Sequence, residues 1–292
     1  MNVRLWRQWP ALLLLVAFVP LVRGADAPEP FRGELKWKPI FHGVDHVELA
    51  AKAPRAMRGH AVRIDLTADG VAFLATPPVA DKPTKTAGLK TSTFLTTHKC
   101  QVAINASAFG PVRAEEGKEQ DVAGLHVSGG AVVSKGNDKY DALLLSKKNK
   151  AWLSAPPFEL KDVHTAVGGF QIVLKNGKVP DKLPDYNKGL LHPRTAAGVS
   201  ADGKFLYLLV IDGRQEEWSQ GASIQEVGEW LTGLGAADGI NLDGGGTTTM
   251  VVAGADGKAS VLNKPIHANK PGTERVSGSH LGVFAKPLKT EK

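Results

Sequence analysis

An α+β domain built on a large mixed β-sheet with few helices is the fold class this sequence predicts, and three observations carry it. Short runs of alternating apolar residues recur from Val44 onward, bounded by Gly, Pro, Asn and Asp. Only one stretch, Ser223 to Leu234, has full helical periodicity. It comes late, between two strand patterns, whereas a doubly wound α/β fold would alternate strand and helix regularly.

The chain begins with Arg4 and Arg7, then a run from Ala11 to Val22 that is apolar apart from Pro20, then Ala25-Asp26-Ala27. That pattern predicts a secretory signal peptide over 1–27, too short for a comfortable membrane span, and hence a secreted or periplasmic protein. Cleavage after Gly24 also fits. Nothing later is apolar enough to cross a bilayer. The Pro-rich, polar stretch 28–40 reads as a leader rather than a folded element, and 41–288 as a single domain.

Within that domain the expected strands are Val44 to Leu49, Ala61 to Leu66 and Val71 to Ala75, with a loop over Asp81 to Thr86. A short helix over Ser92 to His98 leads to the strand Gln101 to Asn105. The centre is β-rich: Gly124 to Val127, Ala131 to Ser134, Ala142 to Ser146 and Ala151 to Ser154. Gly168-Gly169-Phe170 opens the strand Gln171 to Leu174, and Lys175-Asn176-Gly177-Lys178 is a hairpin signal. Phe205 to Ile211 is so continuously apolar that burial on both faces follows. In the late helix, Ser223 and Glu226 make a capping-box pair and Gly235 suits the C-terminal cap.

The helix delivers the chain to Gly239-Ile-Asn-Leu-Asp-Gly-Gly-Gly-Thr-Thr-Thr-Met-Val-Val252. Ile240 and Leu242 alternate with Asn241 and Asp243, which places an amide and then a carboxylate on the polar face of a strand end. Gly244, Gly245 and Gly246 lack Cβ atoms, so their N–H groups can turn toward an anion. Thr247 adds a hydroxyl. The plainer alternative is a Gly-rich turn between two core strands, and the absence of a following Gly-Lys-Ser/Thr excludes a P-loop.

Formal charge is +7 over the whole chain and +5 after residue 27, with 33 basic against 28 acidic residues remaining. Basic character favours anionic ligands, yet the Lys147, Lys148, Lys150 cluster has no interleaved aromatics, so nucleic acid is not expected. Cys100 is the only cysteine, which excludes an internal disulfide and a thiolate metal cluster; it reads as a buried structural residue. The eight histidines outside the His192 segment have no metal-ligand spacing and default to surface or core positions. No cofactor is called for, and calcium held by Asp and backbone carbonyls stays open. Trp218, four residues after Arg214, is the best of the tryptophans for stacking on a sugar ring.

Two further segments bear on chemistry. His192-Pro193-Arg194-Thr195-Ala196-Ala197-Gly198 sets an imidazole beside a guanidinium in a proline-fixed loop, suited to phosphate or carboxylate. Ile211-Asp212-Gly213-Arg214 puts a second carboxylate at the end of the most apolar strand. Taken with the Asn241 to Met250 stretch, their order and spacing resemble the phosphodiester glycosidase family, which includes an enzyme that removes N-acetylglucosamine from phosphodiester-linked mannose. The resemblance is strongest from Gly168 to Phe284. It includes Asn263-Lys264-Pro265, Glu274-Arg275-Val276 and Leu281 to Phe284, and it reaches back to Asn105, where Asn105-Ala106-Ser107-Ala108-Phe109 departs from the family's Asn-Gly-Gly-Phe-Phe type of segment.

The resemblance implies a phosphodiester-glycosidase-like fold and a secreted glycoside hydrolase that cleaves a sugar-1-phosphodiester. His192, Arg194, Arg214 and Arg275 would surround phosphate. Asp243 is the first candidate for nucleophile or general base, with Asp212 second; Asn105 and Asn241 would orient sugar hydroxyls or the carboxylates, with Thr195, Gly244, Gly245, Gly246 and Thr247 completing the binding set. Without a dense metal-ligand cluster in the sequence, attack at the anomeric carbon is favoured over attack at phosphorus. The alternative is a non-catalytic envelope protein that holds an anionic glycan on the same loops.

Overall fold

The computed structural model describes residues 28–183 and 189–288, so the expected signal peptide lies outside the described residues. Its largest sheet runs, in spatial order, Lys38–Phe41, Val44–Ala51, Met57–Asp65, Phe205–Ile211, Arg194–Val199, Asp238–Asn241 and Gln171–Leu174. A second sheet orders Ala259–Val261, Met250–Ala253, Val102–Asn105, His280–Phe284 and Ala72–Ala75; a third centres on Val163–Gly169. The α+β class with few helices is the one the sequence predicts. Its expected mixed sheet is corrected in detail, since all strand pairings among the described residues are antiparallel. The physical reason lies in the one helical crossover: Phe205–Ile211 and Asp238–Asn241 run parallel to each other, but Arg194–Val199 inserts between them and pairs antiparallel with both.

Burial of Phe205–Ile211 on both faces follows its sequence. Leu206, Leu208 and Val210 pack with Ile104, Met250 and Leu281 of the second sheet, whereas Tyr207, Leu209 and Ile211 pack with Val227, Trp230 and Leu231 of the late helix. The resulting order of layers is helix, sheet, sheet, helix, the last being α1 (Thr91–His98), whose Phe94 and Leu95 cover Ala103 and Val251. The late helix, α2 (Ile224–Leu234), has its capping box in place. The Ser223 hydroxyl accepts from the Glu226 N–H at 3.2 Å and the Glu226 carboxylate accepts from the Ser223 N–H at 2.8 Å, an arrangement worth about 1 kcal/mol. Arg55 pairs with Glu226 and ties the cap to the sheet.

Three stretches depart from expectation. Residues 28–40 hold a 3-10 turn, Glu29–Phe31, and a strand, Lys38–Phe41; Phe31 is fully buried and meets Trp230 edge-on at 5.7 Å. One aromatic suffices to anchor an otherwise polar segment, because it alone removes some 150–250 Å² from water. The expected loop over Asp81 to Thr86 is a strand, Lys82–Ala87, which pairs with Pro78–Val79 on one side and Glu119–Val122 on the other and leaves Lys82, Pro83 and Thr84 exposed. The expected loop through Arg194 ends at Pro193, because Arg194–Val199 is a fully buried strand whose small residues leave no apolar alternation to read.

Cys100 is buried and its thiol is pushed up to about 12 by desolvation. His126 and His280 form a buried relay with Thr76: His126 Nε2 donates to the Thr76 carbonyl at 2.9 Å, and His280 Nδ1 lies 3.1 Å from the Thr76 hydroxyl. Burial pulls His126 down to about 4 and His280 to about 3, so both stay neutral and structural at physiological pH.

Candidate active site

Asp238–Asn241 ends at the glycine-rich turn, and the turn is built on Asn105. This residue is fully buried at the end of the Val102–Asn105 strand. Its Nδ2 donates to the Asp243 carbonyl at 2.6 Å and to Thr247 Oγ1 at 3.3 Å; its Oδ1 accepts from the Thr195 hydroxyl at 2.7 Å and the Thr249 N–H at 3.1 Å. One amide therefore joins three strand ends. Asn105, Thr195 and Thr247, expected in the binding set, are buried beneath the turn and hydrogen-bonded to protein. Thr247 acts on the carboxylate, its hydroxyl lying 2.8 Å from Asp243 Oδ2 and 2.7 Å from the Gly244 carbonyl.

Asp243 projects from this frame into a cavity of about 600 Å³. Desolvation raises its pKa to about 6, outweighing the Thr247 hydroxyl, the Arg275 charge and the Gly244 N–H, all of which favour the ionised form. A carboxylate so placed is ionised at neutral pH yet poorly hydrated, the condition in which it acts strongly on an adjacent developing positive charge.

The glycines supply room, and two of their three N–H groups are spent on protein rather than left for an anion, which corrects the sequence reading for Gly244 and Gly245. The Gly244 N–H bonds to Asp243, and the Gly245 N–H donates to the Pro193 carbonyl at 2.8 Å. Gly245 has φ +64, and a Cβ there would lie 3.1 Å from an Arg214 guanidinium nitrogen. A Cβ on Gly246 would lie 2.6 Å from an Arg275 nitrogen. The turn is thus a seat for two arginines. Arg214 reaches it from a left-handed backbone, φ +59, a conformation that costs a non-glycine residue about 1 kcal/mol or more. Arg275 is held by its neighbour: the Glu274 carboxylate accepts from the Ser92 N–H at 3.0 Å and the Ser92 hydroxyl at 2.5 Å, capping α1.

Each guanidinium also donates to an imidazole, Arg214 to His192 Nδ1 at 3.3 Å and Arg275 to His267 Nδ1 at 3.1 Å. Desolvation, then the neighbouring arginine charges, lower both histidine pKa values, which keeps the rings neutral acceptors. Burial and the Arg275 charge likewise lower the Arg214 pKa. Among the described residues neither Arg214 nor Arg275 has an ion-pair partner. Arg214 lines the cavity and Arg275 does not, and Arg275 acts on Asp243 through its charge without ion-pair contact; two neighbouring cations so placed favour an anion between them.

Asp212 and Arg194 do other work. Asp212 Oδ1 accepts from Asn263 Nδ2 at 2.8 Å and the Lys264 N–H at 3.1 Å, and Oδ2 from the Trp218 indole at 2.8 Å. Asn263 in turn takes the Met250 N–H at 2.9 Å, so Asp212 locks the Arg214 loop to the glycine turn and is not among the cavity-lining residues. Trp218 lies 4.1 Å from Arg58 and 5.1 Å from Lys264 over its ring, away from the cavity. Arg194 lines the cavity, but its Nε donates to the Ala222 carbonyl at 2.8 Å and an Nη to the Leu190 carbonyl at 3.1 Å, which commits its fork to the loops.

The rest of the cavity is lined by residues that sequence reasoning leaves unassigned. Tyr140 and Phe170 pack with centroids 5.6 Å apart, and Gln171 stands opposite Asn241 in the strand register. No motif marks them; only the pairing of Gln171–Leu174 with Asp238–Asn241 brings them to Asp243. No group of three or more His, Cys, Asp or Glu side chains at metal-binding distance occurs among the described residues. Nor is any helix there long and apolar enough to cross a membrane.

Residues 98–284 match the family model for phosphodiester glycosidases. No curated protein sequence matches the chain. Solved structures with a similar fold include a hypothetical protein from Synechocystis, with TM-score 0.64 and 12% identity over 85% of this chain and 64% of that one. They also include the catalytic domain of zebrafish N-acetylglucosamine-1-phosphodiester alpha-N-acetylglucosaminidase, auto-inhibited by its pro-peptide, with TM-score 0.61 and 19% identity over 85% of each chain. A protein from Burkholderia pseudomallei K96243 gives TM-score 0.58 and 15% identity over 80% of this chain and 75% of that one. At these identities the likeness is one of fold, and this chain spans less than two thirds of the Synechocystis protein.

Proposed function

The chain belongs to the phosphodiester glycosidase family, and from that premise we propose that it hydrolyses a sugar joined through its anomeric oxygen to a phosphodiester. The carbon–oxygen bond breaks, releasing free sugar and a phosphate monoester. One observation carries this reading: a single glycine turn seats a desolvated carboxylate, Asp243, beside two guanidinium groups with no acidic partner, Arg214 and Arg275. The arginines hold the phosphodiester. As the bond to C1 breaks, the phosphate gains charge while the anomeric carbon becomes oxocarbenium-like, so both ends of the transition state meet a complementary charge that the ground state needs less.

Asp243 serves the anomeric carbon as nucleophile or as the base that activates water, and ionisation above about pH 6 suits either role. A phosphate monoester leaves as a weak base with a second pKa of about 6, which removes the need for a strong general acid. Asp212 is here a positioning residue for the Arg214 loop. The N-terminal pattern of residues 1–27 supports export, which N-terminal sequencing of the mature protein would read directly.

Incubation with a panel of alkyl hexose 1-phosphodiesters of both anomeric configurations tests the proposal. Equimolar reducing sugar and alkyl phosphate are expected from at least one of them. Tight binding of the panel with no release of either product would assign the cavity to a glycan-binding protein instead.

A further inference from the structure

We propose that Gln171, with Asn241 beside it, recognises hydroxyl groups of the sugar ring and sets which sugar the cavity accepts. This rests on the sugar-phosphodiester reading above and extends it to the wall of the cavity formed by Gln171 and Asn241. Both residues line the cavity that holds Asp243 and Arg214. Both are more than nine-tenths buried, Gln171 being 6% and Asn241 2% exposed. Neither side chain has a hydrogen-bond partner among the described residues, and the Gln171 Nε2 and Asn241 Oδ1 atoms are buried without one. A buried amide left unsatisfied is costly to the fold, so a pair of them at one cavity wall is best explained by a ligand that completes their bonding.

Geometry identifies the ligand group. Gln171 and Asn241 are direct cross-strand partners, so their side chains leave the same face of the sheet about 5 Å apart. Each amide offers a donor and an acceptor, as a sugar hydroxyl does, and the spacing suits hydroxyls on neighbouring carbons of one ring. Phe170 immediately precedes Gln171 and packs on Tyr140, adding apolar ring surface for the C–H face of a pyranose. Asn241 is two residues before Asp243, so a ring read by the amides lies within reach of the carboxylate. Gly169 permits this closeness: a Cβ there would sit 2.7 Å from the Asn241 carbonyl.

Calorimetric binding of the 1-phosphates of glucose, galactose and mannose, their monodeoxy analogues and inorganic phosphate tests the assignment without requiring turnover. Wild-type protein is expected to prefer one sugar and to lose roughly 10- to 100-fold in affinity when one of its hydroxyls is removed. Gln171→Leu should bind the parent sugar as weakly as that deoxy analogue, while inorganic phosphate binds as to wild type, which also reports that the variant is folded. An unchanged sugar ranking in Gln171→Leu, or an equal loss for every sugar and for inorganic phosphate, overturns the assignment. So does wild-type protein that does not discriminate among the sugars. Failure of hydrolysis with the ranking intact would count against the catalytic reading alone.

Discussion

Asp243→Asn is expected to lower turnover of a sugar-1-phosphodiester by on the order of 10³-fold, since it removes the charge that the proposed site places to stabilise the anomeric centre. The same substitution should make the protein more stable at neutral pH. The folded-state pKa of Asp243 is about 6 against an ordinary value of 3.8, so ionising it costs more in the folded than in the unfolded chain. That destabilisation is absent below the unfolded pKa, grows as pH rises, and is complete above about 6. With the carboxylate facing an open cavity, where solvent screens part of the penalty, it amounts to about 1–3 kcal/mol. Denaturant unfolding should show asparagine ahead of wild type at pH 7.5, with the gap narrowing toward pH 4. Wild-type activity should fall as pH drops through about 6. An asparagine variant that is no more stable at pH 7.5 would mean the carboxylate is well hydrated and the electrostatic account is wrong.

Arg275→Ala should weaken capture of the phosphodiester by about 2–4 kcal/mol, roughly 30- to 1000-fold in kcat/KM, because a charge-assisted contact in a partly desolvated site is lost. Arg214→Ala should act similarly. Stability should change little, since each substitution relieves repulsion between two cations, offset for Arg275 by loss of its favourable field at Asp243. Arg194→Ala should behave in the opposite way. It deprives the Ala222 and Leu190 carbonyls of their donors, so its main effect is expected on unfolding free energy rather than on binding of inorganic phosphate. Calorimetry with phosphate and denaturant titration on all three variants separate the roles. Equal loss of phosphate affinity in all three would return Arg194 to the anion site.

Most strands and both helices can be read from residues 41–288, because apolar alternation and turn residues are local signals. Phe205–Ile211 is the clearest case, with its two faces divided between two cores as its unbroken apolar run implies. Motif order singles out Asp243, Arg214 and Arg275, the residues of the proposed site. Which polar residues face ligand and which face protein is not legible. Asn105, Thr195 and Asp212 belong to the same set of motifs as Asp243, yet each lies at or next to a strand end where neighbouring segments take up its hydrogen bonds. Long-range register alone decides that, as it alone brings Gln171 beside Asn241. The histidine acceptors of the two arginines are half visible, since His192 lies in a motif and His267 in none. The role of the glycines is hidden for a related reason: their missing Cβ atoms accommodate Arg214 and Arg275, which arrive from segments about 30 residues away on either side.

The site of bond cleavage tests the central claim most directly. Hydrolysis of a sugar-1-phosphodiester in oxygen-18 water, followed by mass spectrometry of both products, should place the label on the anomeric hydroxyl of the sugar and leave the phosphate monoester unlabelled, as attack at carbon beside Asp243 requires. Label in the phosphate would show attack at phosphorus and would contradict the assignment of Asp243 to the anomeric centre.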